Sequence, residues 1–312
     1  PTTVTGTTTL TVHAELPLEA WRTGAATVDV ASLKATAGDL PVELTGPAGV
    51  RYEDERPHID RLDVVAGALA VSASGALPVF EPAPDEPAAL MTVTGNVDDV
   101  VRTAAALGVT ELPVTGGDGP VALLSRVTGT VQQPVVSADL EVGPASVALE
   151  NAPAVTGLTV RAHAENGWVE LREASAEYES GQLSATGRAP LSMFSERLAV
   201  VGGSAAAATG RDVAVLKARA TNITPAVLAP FVAPGTLDEL SGTIDATLEA
   251  ATPTLELADL TGELRIDRFD VRLAELPVTQ SVPTRIVARD GVARVESWEW
   301  IGQGTTLTVR GQ

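Results

Sequence analysis

The sequence predicts a mainly β protein, built as a repeated antiparallel sheet with one apolar face and a few short helices. Two observations predict this fold class. Apolar and polar residues alternate along most of the chain, with turn-forming residues between the alternating runs. Hydrophobic residues make up 45% of the 312 residues, yet only 3% are aromatic. Alternation places apolar side chains on one side of a sheet, and small or branched side chains suit a thin sheet better than a compact core.

Individual strands and hairpins follow from the alternation. Leu158 and Val160 alternate with polar residues, which predicts a strand with both side chains on its apolar face. The Asn-Gly pair at 166–167 and the Asp-Gly pair at 290–291 are typical of two-residue hairpin turns, because such turns need positive φ angles. These pairs predict that consecutive strands run antiparallel.

A long repeat runs through the chain. Strands of small and polar residues that end on glycine recur at 69–75, 182–187 and 306–311. A glycine flanked by Ser or Thr opens each unit, at Gly6, Gly129 and Gly242. Both sets of landmarks indicate a unit of about 110–125 residues, longer than a usual solenoid repeat. The predicted organisation is a sheet block at 1–80, a linker with a strand and a short helix at 81–127, a block at 128–190, a similar linker at 191–240, and a block at 241–312.

The two linkers carry similar helix signals. In the first, apolar residues at helical spacing predict a helix over 97–107, with Asn96 as its N-cap. In the second, a helix is predicted over 223–232, with Thr224 as a cap and Pro225 at the first helical position.

Charge and composition exclude several classes of partner and site. A net charge of −19 repels nucleic acid and anionic membrane surfaces. The absence of cysteine removes disulfides, thiolate nucleophiles and thiolate metal sites, but leaves the compartment open. No stretch of about 18 apolar residues predicts a membrane span, and no part of the given sequence predicts a signal peptide. The chain lacks an initiator Met and stops in a strand-like run, so we expect it to be part of a longer protein.

No catalytic centre, metal site or cofactor is predicted. The three histidines, His13, His58 and His163, have no partner at ligand spacing and are expected on the surface. The glycine-rich stretches lack the residues of a phosphate loop, and no pair of acidic residues stands out as a glycosidase pair. Trp298 and Trp300 fall on one side of a strand, where we predict a packing pair; a carbohydrate platform is the alternative. We therefore expect a protein that is not an enzyme.

The repeated strand, hairpin and helix pattern resembles the AsmA-like and TamB-like proteins of diderm bacterial envelopes, which are repeating β-groove, bridge-like lipid transfer proteins. The resemblance extends over nearly the whole chain and is carried by residues 127–131, 183–187, 222–228 and 240–244. It implies an elongated, curved, taco-like sheet whose concave face is apolar. It also implies phospholipid transfer between the inner and outer membranes, in support of outer-membrane biogenesis. The protein would be periplasmic, with an inner-membrane anchor and an outer-membrane partner outside this segment.

On this interpretation, phospholipid acyl chains lie against the apolar face. The candidate groove residues are Val71, Leu158, Val160, Leu171, Leu183, Ile244, Leu248, Leu264, Ile266, Leu307 and Val309.

Two other architectures fit parts of the pattern. A structural or adhesive segment of tandem β-sandwich domains, in a secreted or cell-surface protein, would pair its apolar faces sheet on sheet and leave no groove. An enzyme on a β-helix would have short rungs and a cluster of acids and bases, and neither is visible in the sequence.

Overall fold

The computed structural model describes residues 4–15, 17, 24–38, 40–53, 56–79, 89–106, 114–149, 152–193, 213–225, 240–254, 257–273, 276–302 and 304–312. Within these ranges the chain forms one antiparallel sheet of 20 strands, together with a single α-helix and two short 3-10 turns. The predicted mainly β fold class is confirmed.

The strands follow one another along the chain with few interruptions. They are β1 (Val4–Glu15), β2 (Ala25–Ala37), β3 (Leu40–Leu44), β4 (Ala48–Glu53), β5 (Arg56–Ala66), β6 (Leu69–Ala76), β7 (Ala89–Asn96), β8 (Val114–Asp118), β9 (Pro120–Gly129), β10 (Pro134–Leu149), β11 (Ala152–Glu165), β12 (Trp168–Tyr178), β13 (Gly181–Pro190), β14 (Ala214–Ile223), β15 (Leu240–Thr252), β16 (Thr261–Leu273), β17 (Leu276–Gln280), β18 (Thr284–Arg289), β19 (Val292–Gly302) and β20 (Thr305–Gly311). The helix, α1, is Val97–Ala106, and the 3-10 turns are Leu191–Met193 and Leu257–Asp259.

Pairing follows chain order, so the sheet is a long meander. At three places in the sheet, two consecutive strands pair with different parts of the same neighbouring strand. Strands β3 and β4 lie between β2 and β5, strands β17 and β18 lie between β16 and β19, and strands β8 and β9 lie beside β10. Every other strand pairs antiparallel with the strands next to it in this order. Each strand therefore contacts mainly its chain neighbours.

The predicted hairpin turns are confirmed. Asn166 and Gly167 have φ angles of 52° and 78°, and Asp290 and Gly291 have φ angles of 52° and 72°. Two successive positive φ values are characteristic of the type I′ turn, whose twist matches that of the flanking strands.

The first predicted helix is confirmed, and its cap is the predicted one. The Asp98 backbone N–H donates to Asn96 Oδ1 at 3.2 Å, and the Asn96 N–H donates to Asp99 Oδ2 at 3.2 Å. This reciprocal pair satisfies donors that a helix N-terminus leaves free. Val97 then packs against Ala145 and Val147, which fixes α1 on the sheet.

The second predicted helix starts later than residue 223, although Pro225, predicted at its first helical position, does have 3-10 conformation. Ile223 still belongs to β14 and pairs with Ile244. The Asn222 side-chain amide donates to the Ser180 carbonyl at 3.1 Å, and the Thr224 hydroxyl donates to the Glu179 carboxylate. These side chains thus tie β14 to the turn after β12, because their partners lie in that turn. The rest of the predicted helix, 226–232, lies outside the described residues.

The repeat landmarks are not structurally equivalent throughout. Gly6 and Gly242 lie inside strands β1 and β15, whereas Gly129 ends β9 and leads into a turn. Two of the predicted block boundaries fall inside strands, since β9 contains the boundary at 127 and β15 contains the boundary at 240, whereas β13 ends at the boundary at 190. The sheet is therefore continuous at 127 and at 240, and the boundary at 80 lies outside the described residues.

Buried hydrophobic side chains form two small clusters in the described part of the chain. One consists of Ile223, Ile244, Ile266 and Val271, and the other is the cluster beneath α1. The chain exposes 19107 Å² of accessible surface, whereas a compact monomer of its 32.0 kDa mass exposes about 12,000 Å². No helix in the ranges given above combines the length and the apolar character that a membrane span requires.

Candidate binding face

An uninterrupted line of apolar residues crosses most of the sheet. We call it row one: each member is directly paired with the next across a strand ladder, from β3 to β19. Directly paired residues in antiparallel strands point to the same side of a sheet, so all of row one lies on one face. Its members are Leu44, Val64, Val71, Val93, Leu123, Leu140, Ala162, Leu171, Gly187, Leu216, Ala250, Gly262, Ala288 and Ala293.

Two further apolar rows lie beside it on the same face. Row two runs from β9 to β19 and consists of Val121, Val142, Val160, Ala174, Ala185, Ala218, Leu248, Leu264, Ile286 and Val295. Row three runs from β12 to β18 and consists of Ala176, Leu183, Ala220, Ala246, Ile266 and Thr284. We refer to the surface that carries the three rows as the apolar face.

β-Bulges keep the rows in phase. Leu171 and Ala174 are three residues apart, so strict alternation would place them on opposite faces. The register of β12 shifts between them, with Leu171 opposite Gly187 and Ala174 opposite Ala185. The inserted residue returns the strand to phase. Both side chains therefore remain on the apolar face.

The opposite face is polar and carries ion pairs between neighbouring strands. Arg161 lies 3.1 Å from Glu173, and Lys217 lies 3.1 Å from Glu249. His163, predicted on this side, places its Nδ1 2.7 Å from Asp139 Oδ1.

One ion pair on that face joins strand β16 to strand β18. The Arg285 guanidinium is 2.6 Å from Glu263, and its hydrogen bond lowers the pKa of that carboxyl below its ordinary value. Glu263 is thus held in its charged form, as expected on a surface that faces water. The two faces of the sheet therefore differ in chemistry along the same strands.

Two of the depressions lined by described residues lie on the apolar face. The first, of about 420 Å³, spans β11 to β16 and has a floor of small residues: Ala174, Ala176, Ala185, Ala218, Ala220 and Ala246. Larger side chains line the same depression, namely Val155, Leu158, Leu183, Leu248 and Leu264. The second, of about 350 Å³, spans β11 to β15 and includes Ala162, Leu171, Ala189, Met193, Leu216 and Ala250.

A third depression, of about 470 Å³, lies on the polar face. Its lining includes Glu177, Gln182, Ser184, Arg219 and Thr221. Although this depression is the largest of the three, its lining suits water, because each of these side chains offers hydrogen-bonding groups. An apolar ligand would gain more burial in the first two depressions, because their linings are mostly apolar.

The residues predicted from the sequence lie together on the apolar face. Val71 and Leu171 belong to row one, Val160, Leu248 and Leu264 to row two, and Leu183 and Ile266 to row three, while Leu158 lines the first depression. Ile244 and Ile266 are buried in the cluster around Val271. Leu307 and Val309 lie on the edge strand β20, opposite Trp300 and Trp298.

Sequence reasoning missed the alanines of the first depression. Ala218 and Ala220 alternate with polar residues as the predicted positions do, so their face was readable from the sequence. Their part in forming the depression could not be read from the sequence, because only the pairing of strands β12 to β15 shows that these small residues lie next to one another on the face.

An aromatic cluster lies at the β20 side of the apolar face. The ring centroids of Trp298 and Trp300 are 4.9 Å apart, and Phe269 lies 5.2 Å from the first and 5.7 Å from the second. Trp298 also packs against the cluster of Ile223, Ile244, Ile266 and Val271. The rings pack on one another, as the packing interpretation predicts.

No family model, curated protein or solved structure matches the chain.

Proposed function

We propose that this protein binds phospholipid acyl chains along its apolar face and passes them from one part of the face to the next. The observation that carries the proposal is row one, because it crosses the sheet from β3 to β19 without a charged or polar member. An exposed apolar surface of this extent is typical of a binding surface.

The energetics favour binding with little positional preference. Burial of each methylene contributes about 0.8 kcal/mol, so a chain of roughly 16 carbons gains about 13 kcal/mol at most. The loss of translational and conformational freedom offsets part of this gain. Because row one offers apolar contacts on successive strands from β3 to β19, neighbouring positions along it have similar affinity, and a bound chain can move between them.

The cellular role follows from the family resemblance together with the chemistry of the two faces. A periplasmic segment of an inner-membrane-anchored protein would keep its charged face in water and carry lipids toward the outer membrane. The net charge of −19 supports a solvated outer surface. The anchor and the outer-membrane partner would lie outside this segment.

An adhesive β-sandwich segment is the second candidate. It needs two sheets whose apolar faces pack on each other, and the ranges that the structure describes contribute to one sheet. The antiparallel pairing throughout that sheet also differs from the parallel rungs of a β-helix enzyme. The single sheet therefore favours the lipid-binding proposal over both.

The decisive experiment combines lipid extraction with site-specific crosslinking. We expect phospholipid to co-purify with the protein in native mass spectrometry, and photo-crosslinkers at Val160 and Leu264 to capture it. Crosslinkers at the adjacent positions Arg161 and Arg265, on the opposite face, provide the matched controls. Absence of lipid from the purified protein and from all crosslinks contradicts the proposal, and capture only at the arginines would assign binding to the other face.

A pair of substitutions in one strand tests the face directly. Ala185 lies in the floor of the first depression between Ala174 and Ala218, and Thr186 is its neighbour on the polar face. Ala185→Phe fills the first depression, so we expect a photo-crosslinker at Leu264, which lines the same depression, to capture at least tenfold less lipid. Thr186→Phe adds the same ring to the exposed side and is expected to leave this capture unchanged. Equal capture at Leu264 in the two variants would contradict the assignment of the face.

A further inference from the structure

Helix α1 is seated on strand β10 and its neighbour β8. Val97 packs against Ala145 and Val147 of β10, and Val101 packs against the same cluster. Gly117 of β8 pairs with Val147 and allows this close approach, because a Cβ at Gly117 would lie 2.6 Å from Val97 Cγ1. The helix therefore forms a raised feature on one side of the sheet.

That side is the apolar face, next to the first depression. Ala145 and Val147 pair directly with Leu158 and Val155 of β11, and directly paired residues share a face. Leu158 and Val155 pack against the cluster beneath α1, and both also line the first depression. The first depression thus ends, on its β11 side, at the cluster that α1 covers.

Rows one and two meet the helix differently. Val121 of β9 and Val142 of β10 belong to row two, and both pack against the cluster beneath α1. Leu123 and Leu140 are the row-one residues of the same two strands, and the cluster, as formed by the described residues, does not include them. Leu140 lies seven residues before Val147, roughly 20 Å along the strand. The radius of a helix with its side chains is about 5–6 Å, so row one stays clear of α1.

The other end of α1 lies on the same side of row one. A Cβ at Gly67, in the turn between β5 and β6, would lie 3.8 Å from Thr103 Oγ1. This turn follows Val64, the row-one residue of β5, by three residues. The helix therefore extends across the sheet from β10 toward β5, alongside row one rather than over it.

The surface of α1 does not favour the passage of an acyl chain over it. Arg102 Nε lies 3.2 Å from Asp98 Oδ2, and 66% and 47% of these two side chains are exposed. A hydrocarbon chain above the helix would lose its apolar contacts and desolvate these charges. A chain beneath the helix would displace Val97, which is packed and only 8% exposed. Movement beside the helix, along row one, requires neither.

We propose that α1 is a barrier on the apolar face. It closes the first depression at β11, and it directs acyl chains that move between β11 and β7 to the row-one side of the helix. The inference rests on the proposed function and adds a positioning role for α1, with Val101 holding the helix beside row two. The second depression opens onto this route, because its lining includes Ala162 and Leu171 of row one.

Two crosslinker positions in one strand test the barrier. A small diazirine amino acid replaces either Leu140 in row one or Val142 in row two, which lie two residues apart on the same face of β10. Dipalmitoylphosphatidylcholine is the lipid, and capture at Leu264, in the first depression, is the reference. We expect capture at Leu140 within about twofold of the reference and capture at Val142 at least tenfold lower, measured by mass spectrometry.

Substitutions in α1 show whether the helix causes this difference. Val101→Asp places a carboxylate against the apolar cluster and should lift the helix, so we expect capture at Val142 to rise at least fivefold. Val100→Asp is the matched control, because Val100 is the adjacent residue and is 38% exposed; it should leave capture at Val142 low. If Val101→Asp fails to fold, as judged by circular dichroism, Val101→Thr applies the same test without a charge.

The outcomes separate this inference from the proposed function. If the wild-type protein captures no lipid at Leu140, Val142 or Leu264, the proposed function fails. If it captures lipid at Leu264 and captures equally at Leu140 and Val142, or not at all at Leu140, lipid binding stands and the barrier is overturned. The barrier is also overturned if Val101→Asp and Val100→Asp have the same effect on capture at Val142.

Discussion

Small side chains explain how a single sheet can present depressions rather than a flat surface. Ala174, Ala185 and Ala218 are consecutive members of row two, and Leu248 follows them in the next strand. A run of methyl groups beside an isobutyl group lowers the surface locally by the length that Cγ and Cδ add to a leucine side chain. The high alanine content of the chain is therefore consistent with an apolar binding face, although alanine contributes little burial itself.

Tyr178 is a residue whose polar atom works against stability. It is 2% exposed, and its hydroxyl is buried without a hydrogen-bond partner among the described residues. A buried hydroxyl without a partner retains a desolvation cost of about 1–3 kcal/mol. We expect Tyr178→Phe to raise the free energy of unfolding by about 1 kcal/mol, measured by urea denaturation at neutral pH.

The same substitution should change the response to alkali. Burial raises the pKa of Tyr178 above its ordinary value of 10.0, with a smaller contribution from the charge of Glu179. The folded state therefore holds the phenolic proton more tightly than the unfolded state. Its contribution to stability is complete below pH 10 and is lost as the pH rises through the folded-state pKa. Tyr178→Phe should lack this part of the alkaline decline, and an identical decline in both proteins would contradict the assignment.

Among the structural elements, hairpins and the first helix were predictable because their signals are local. An Asn-Gly pair at 166–167 and an Asn cap at residue 96 act within a few residues of themselves. The faces of the strands were predictable for the same reason. The phase between strands was not, since bulges such as the one between Leu171 and Ala174 depend on which residues lie opposite.

The candidate site could be predicted in part. The predicted residues Val160 and Leu264 belong to row two, because alternation identifies the face of each strand. The two depressions could not be predicted, because their floors depend on the register of four or more strands at once. Gly129 is a position where the local sequence was misleading. Its sequence surroundings match those of Gly6 and Gly242, but it ends a strand, because local sequence does not determine which residues pair with it.

Helix α1 offers a test of how a local cap contributes to the sheet. Asn96 Oδ1 accepts the Asp98 N–H, and its Nδ2 donates to Asp118 Oδ1 in β8 at 2.7 Å. We expect Asn96→Ala to lower the free energy of unfolding by about 1 kcal/mol. Asn96→Ser keeps a capping oxygen and loses the link to Asp118, so it should fall between the wild-type protein and the alanine variant.

Urea denaturation of these variants, with Thr94→Ala on the exposed side of β7 as the control, measures both contributions. If Asn96→Ser is as unstable as Asn96→Ala, the link to Asp118 rather than the cap carries the stability. If neither differs from the control, α1 contributes nothing to the cooperative unit.

At the scale of the whole molecule, the sheet behaves as a quasi-one-dimensional chain of neighbours. Its accessible surface, 19107 Å², is about one and a half times that of a compact monomer of the same mass. Because pairing follows chain order, each strand depends mainly on the two beside it. Stability should then be the sum of local terms, as in repeat proteins, and damage in one region should leave distant strands folded.

Ile244 provides the means to test this. It is 9% exposed and packs with Ile223, Ile266 and Val271. Ile244→Asp places a carboxylate without a partner in that cluster, at a cost of about 3 kcal/mol or more. Ser241 lies in the same strand, is exposed, and pairs with Arg272, so Ser241→Asp is a matched control that should cost little.

Hydrogen–deuterium exchange of the two variants distinguishes local from global cooperativity. For Ile244→Asp we expect amides of β14, β15 and β16 to lose protection by the factor that corresponds to the lost stability, while amides of β5, β6 and β7 keep wild-type protection. Six strands, β8 to β13, lie between the two regions in chain order, so no strand pairing links them directly. Uniform loss of protection along the sheet would instead show one cooperative unit. In that case a lipid bound anywhere on the apolar face would stabilise the whole sheet, whereas local behaviour confines that effect to the strands beneath the lipid.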